Sequence, residues 1–208
     1  MSELPHLRVV VDCRAEDVAR AVALIAGARE GYAAARVERM AAVAGAIAAQ
    51  AGLGEATASG CVVAAWLHDI GMIALPDDAL APSDPAGYVD SPLVRAHAGL
   101  GADLVTRVAE LAPAADAVRH HHERYDGGGY PDGLAGEAIP ITARVVAAAD
   151  ALATAAPQAA IAPRERKAAA QRLRALAGTA LDPQLADAAI AVLAAEADAA
   201  GEYLPRTA

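Results

Sequence analysis

Five of the six histidines in this 208-residue chain fall between His68 and His122, and aspartates stand beside or after them. His68-Asp69 ends the apolar run Val62 to Leu67, His97 stands apart, His121 and His122 are adjacent, and Asp150 follows Val145-Val146-Ala147-Ala148-Ala149. Imidazole and carboxylate together suit Fe, Mn, Zn or Ni, and one carboxylate can bridge two ions; without cysteine partners a thiolate zinc site is disfavoured. Each piece also has an ordinary structural reading. His68-Asp69 alone fits a capped helix end equally well. His121-His122 alone fits a solvated polar run, because side chains adjacent on a helix diverge by about 100° and both reach one cluster only if the helix end points at it. Asp150 tells most, since an unpaired carboxylate in a buried run is costly. Arg144 is its local salt-bridge candidate but does not share a helix face with it, so a metal is favoured.

These residues must be positioned by helices. A composition of 56% hydrophobic and 3% aromatic residues, with no Phe, leaves a core of Ala, Leu, Val and Ile, and Ala is the best helix former and poor in strands. The expected fold class is all-α, a single bundle of about seven to eight helices, with Leu7 to Val11 as a short N-terminal strand or extended lead-in. A first helix carries Leu24 and Ile25, and a second runs from Arg36 towards Gln50, where Gly52 and Gly54 interrupt. A third runs from Glu55 to the His-Asp pair. Leu75 to Pro92 reads as a long surface loop. Helices follow with His97, Leu100, Leu104 and Val108 at helical spacing, then after Pro113 up to the histidine run. Further helices cover Ala143 to Ala153 and Arg164 to Ala177, and the last opens at Asp182-Pro183, a cap followed by a first-turn proline. Asp126 to Gly133, rich in Gly and Pro, is irregular. The expected layout is an extension over 1–14, one domain over 15–200 and a tail over 201–208.

The net charge of −9 and the absence of a dense basic run argue against long nucleic acid as a partner. A small phosphorylated nucleotide remains compatible, because bound cations invert the local field. Cys13 and Cys61 form no pair motif and read as small buried hydrophobes. No signal peptide is read at the N-terminus, and the longest uncharged run, Met40 to Gly54, falls short of the ~18 apolar residues of a membrane span. The expected location is cytoplasmic, away from membranes.

Taken in order, His68-Asp69-Ile70-Gly71, Pro76-Asp77, His97 with Gly101, His121-His122-Glu123, Asp126-Gly127-Gly128-Gly129-Tyr130-Pro131, Ile139-Pro140 and Asp150 resemble the HD-GYP family over about residues 20 to 195. The resemblance implies an all-α HD-type phosphohydrolase with two metal ions, iron favoured, acting on cyclic di-GMP or a related small phosphoester through a metal-bound hydroxide. It implies His68, Asp69, His97, His121, His122 and Asp150 as ligands, with Asp69 bridging and catalytic, and Gly129, Tyr130 and Pro131 as the wall of the substrate cleft.

The chain departs from the family pattern around substrate and catalysis. Ala33 stands where the family has its first histidine, with Glu30 as a nearby substitute; Met72 replaces a lysine; and Ala153 replaces a second aspartate. The stretch Thr154 to Ala162 lacks the family's cations. A bacterial phosphodiesterase is therefore the leading expectation. The other is a catalytically degenerate relative whose metal centre serves signalling, sensing or protein interaction. No receiver, sensor or output segment is read, so input is expected from a separate signalling protein or a homodimer partner.

Overall fold

Alanine content and terminal signals set the helix boundaries. In the computed structural model, which describes residues 14–30, 34–76, 91–158 and 161–202, eight α-helices are present and no strand occurs among the described residues. They are α1 (Ala15–Glu30), α2 (Ala34–Gln50), α3 (Glu55–Leu67), α4 (Pro92–Val105), α5 (Ala115–His120), α6 (Ile141–Ala155), α7 (Pro163–Leu176) and α8 (Pro183–Glu202). Short 3-10 turns at Ile70–Ala74, Ala112–Ala114 and Gly136–Ala138 link them. The all-α expectation is borne out. Leu7 to Val11 and Cys13 lie outside the described residues, as does 77–90 of the expected loop.

The ends are built as the sequence indicates. Ser91 caps α4, its hydroxyl accepting from the Leu93 amide at 3.3 Å, and Pro92 occupies the first turn. Asp182 accepts from the Gln184 amide at 2.9 Å ahead of Pro183. In α7 the Glu165 carboxylate accepts from the Ala162 amide at 3.1 Å, which satisfies an otherwise orphaned donor. After α2 the chain turns at Gly52 with φ of 71°, a left-handed conformation that glycine adopts without Cβ strain.

Small residues let α2 and α3 approach closely, and both lie against α6. Met40, Ile47, Leu67, Leu152, Leu173 and Leu193 fill the core between many buried alanines. Cys61 is fully buried there, as expected of a small hydrophobe. Glu55–Ala74 is long and apolar enough to cross a membrane by length and composition alone, but 56% of an 18-residue apolar window within it is buried in the bundle. Ion pairs join distant segments. Arg39 forks onto Glu196 at 2.6 and 2.8 Å, tying α2 to α8, and Arg144 on α6 reaches Asp182 at 2.6 Å.

One contact between elements bears directly on the histidines. A Cβ on Gly71 would stand 1.9 Å from the His97 carbonyl oxygen and 2.5 Å from the Gly101 amide nitrogen. The turn after His68-Asp69 therefore rests on the backbone of α4, which only a residue without a side chain permits.

Candidate metal centre

Two helix ends and one helix face converge. α3 stops at Leu67, and the chain presents His68 and Asp69 before the 3-10 turn Ile70–Ala74. His97 comes from the second turn of α4. α5 stops at His120, so His121 and His122 lie in the following turn. That ending resolves the divergence expected of adjacent side chains on a helix: the two rings lie 4.0 Å apart, centroid to centroid.

The Asp69 carboxylate is the hub. One oxygen, Oδ1, lies 3.3 Å from His97 Nε2 and 3.7 Å from His121 Nε2; the other, Oδ2, lies 2.9 Å from His68 Nε2. Ligand atoms of Asp69, His97, His121 and His122 all fall within 4.8 Å of one another. His68, His97 and His121 are each tied by Nδ1 to a backbone carbonyl three residues earlier: Ala65 at 2.9 Å, Val94 at 2.6 Å and Val118 at 2.7 Å. A carbonyl can only accept, so Nδ1 carries the proton and, in the neutral ring, Nε2 presents its lone pair inward. His97 Nε2 and His121 Nε2 then face each other at 3.4 Å beside a carboxylate. Two lone pairs so placed need a cation between or beside them, and outward Nδ1–H bonds are the usual orienting shell of metal-binding histidines. The donor set fits a borderline transition metal.

The electrostatics agree. Burial alone would raise Asp69, but the charge of His68 and the polar contacts of its oxygens with the rings of His121, His68 and His97 hold its carboxyl well below the ordinary range. Burial opposes charge on His68, yet the charge and hydrogen bond of Asp69 prevail and push it up to about 9. His121 is lowered by burial, and His122 falls to about 2 through burial and the neighbouring His121 and His97. Two imidazoles are thus kept neutral, the form that binds metal.

Asp150 differs from its expected surroundings. The run before it is largely buried, but its own side chain is 36% exposed and paired: Arg36 Nη2 donates to Oδ1 at 2.6 Å, with Nη1 3.2 Å from the Thr154 hydroxyl. The partner is a cation from α2, distant in sequence, while the local candidate Arg144 is committed to Asp182. Asp150 stands outside the four-residue donor group, although its charge acts on His68. Met72 is buried with Leu75 and Val94, so its position serves packing. Ala33 and the side chain of Glu30 lie outside the described residues.

The Gly129-Tyr130-Pro131 segment does adjoin the cluster. Tyr130 stacks on His122 with centroids 4.8 Å apart and planes 28° from parallel, and the Arg95 guanidinium lies 5.0 Å over the Tyr130 ring. A Cβ on Gly129 would come within 2.3 Å of the Arg124 amide nitrogen, so the loop rests on the backbone that follows the histidines. Sequence reasoning missed what holds this loop: Glu123 is buried and accepts from the amides of Asp132 at 2.7 Å and Leu134 at 3.1 Å. The available signal was a carboxylate immediately ahead of a glycine-rich segment whose amides lack secondary-structure partners.

Comparison with known proteins places this arrangement. The family model described as HD domain matches residues 20–185. The cyclic di-GMP phosphodiesterase response regulator RpfG of Xanthomonas campestris pv. campestris is 43% identical over 124 residues, covering 59% of this chain and 33% of its own length. The 3'3'-cGAMP-specific phosphodiesterase 2 of Vibrio cholerae is 30% identical over 149 residues, 70% of this chain and 28% of that protein. The chain thus spans about a third or less of these relatives. A solved cyclic GMP-AMP specific phosphodiesterase of V. cholerae shares the fold, with a TM-score of 0.65 over 85% of this chain and 48% of that one at 16% identity. With its His68-Asp69 hub, its paired histidines and the Gly-Tyr-Pro loop laid against them, the chain belongs to the HD-domain family and is of the HD-GYP type.

Proposed function

We propose that this protein is a metal-dependent phosphodiesterase acting on a cyclic dinucleotide, cyclic di-GMP or 3'3'-cGAMP, or on a related small phosphoester. The observation that carries the reading is the pair of inward Nε2 atoms of His97 and His121, 3.4 Å apart and against Asp69. Asp69, His97, His121 and His122 would hold one ion, and Asp69 Oδ2 with His68 and Asp150 would face a second; iron is the favoured metal. Bound there, the ions would supply charge for the phosphoryl oxygens and activate a water for in-line attack.

The chain's own residues prepare the rest. The carbonyls of Ala65, Val94 and Val118 fix the ring tautomers of His68, His97 and His121. Tyr130, stacked on His122, forms a flat wall beside the reacting position, suited to a sugar or nucleobase face. Glu123 holds that wall in register with the histidines through two backbone amides.

A second reading, a metal-containing signalling or interaction module without turnover, is favoured by Met72, a buried thioether where the family pattern has a lysine. Anaerobic purification, metal analysis and incubation with cyclic di-GMP, 3'3'-cGAMP and linear pGpG separate the two. Turnover that disappears together with bound metal in Asp69→Ala is the expected result. Bound metal without hydrolysis of any of the three, with iron or manganese, establishes the module instead.

A further inference from the structure

The two oxygens of Asp69 divide the donors into unequal halves. On the Oδ1 side stand the imidazoles of His97 and His121, with His122 beside them. On the Oδ2 side stands His68, on which the charge of Asp150 also acts from outside the four-residue donor group. Asp150 already has a cation. Arg36 donates to its Oδ1 at 2.6 Å and is steadied at 3.2 Å from Thr154 on the next turn of α6. A guanidinium is charged at every accessible pH and cannot give up a proton to make way for a metal. An ion entering beside His68 must therefore share Asp150 with a fixed positive charge or break a charge-assisted hydrogen bond to claim it.

We propose that Arg36 is a resident cation that makes the centre unequal: one ion is held firmly by Asp69, His97, His121 and His122, and the His68–Asp150 position fills only at much higher metal concentration. This inference rests on the metal-centre reading above and goes beyond it by assigning Arg36 control of how many ions the protein carries. Arg36 is a positioning residue here, acting through Asp150. Its charge stands in for the second ion when that ion is absent, so the carboxylate is never left unpaired.

The test is equilibrium dialysis of the metal-stripped full chain against Mn²⁺ alone, with metal counted per chain. Wild type is expected to take up one equivalent firmly and a second with affinity weaker by about tenfold or more. Arg36→Gln should tighten the second equivalent by about tenfold while leaving the first within about twofold; Arg36→Lys, which keeps the charge, should preserve the gap. Asp150→Asn should remove the weak equivalent and spare the firm one, whereas His121→Ala should remove the firm one. Helical circular dichroism checks that each variant is folded. Two equivalents of equal affinity in wild type, an unchanged second equivalent in Arg36→Gln, or loss of the firm equivalent in Asp150→Asn overturns the proposal. A folded wild type that binds no Mn²⁺, Fe²⁺ or Zn²⁺ overturns the metal-centre reading itself, a result distinct from all three.

Discussion

His68 and Glu123 show how far single residues here depend on one neighbour. The His68 imidazolium is sustained by Asp69, with a folded-state pKa of about 9 against an ordinary 6.5. A group whose pKa is raised by folding stabilises the fold fully below its unfolded value and loses that contribution as pH rises through the folded one. The metal-free protein should therefore lose stability between pH 6.5 and about 9. Denaturant midpoints across that range report the loss, and Asp69→Asn should flatten it; a wild-type midpoint constant over this window contradicts the assignment. Glu123 supports a different part of the site. Glu123→Gln replaces one acceptor with an amide donor facing a buried N–H, which should cost about 1–3 kcal/mol. Hydrogen exchange at the Asp132 and Leu134 amides should accelerate while metal content is kept, because the Glu123 carboxylate bonds these loop amides.

Among the elements, the contact between α4 and the turn Ile70–Ala74 sets the distance from His97 to Asp69. Gly71→Ala puts a methyl group 1.9 Å from the His97 carbonyl oxygen. Overpacking of this kind costs about 1–3 kcal/mol or more, and relief requires α4 to move outward with its histidine. The variant should both melt earlier and lose metal, whereas Gly54→Ala, where a Cβ meets nothing within 4 Å, should do neither. Thermal melts and metal counts on the pair decide this. The helices themselves were legible because alanine, the Ser91 and Asp182 caps, and the prolines at 92 and 183 are local signals. The convergence of His68, His97 and His121 was legible only through motif order. The Arg36–Asp150 pair was not legible, since no periodicity links residues 114 positions apart, and a carboxylate after an apolar run looks the same whether a metal or a distant guanidinium faces it. Glu123 escaped for the complementary reason: its partners are backbone amides, which carry no residue-type signal.

At the scale of the whole molecule, a metal bound as proposed would be coupled to the fold, because Asp69, His97, His121 and His122 come from separate segments and meet only in the native state. Free ion at about a hundred times its dissociation constant should add about 2.7 kcal/mol to unfolding. EDTA should reverse the gain, and His121→Ala should show none of it; denaturant curves with and without Mn²⁺ make the comparison. The net charge of −9 is carried around a core built from alanine and branched aliphatics. Stability in such a core comes from close helix approach more than from large side chains, so the metal-free bundle has little aromatic burial to offset a lost ion.

The three Nδ1 bonds to Ala65, Val94 and Val118 have a mechanical meaning. Each ring is moored to the turn of helix directly beneath it, so a ligand keeps its aim only while that turn stays wound. Any force that unwinds the end of α3 or α5, or shifts α4, would reach an ion held as proposed as a change in grip. By reciprocity such an ion would resist that displacement by the same factor.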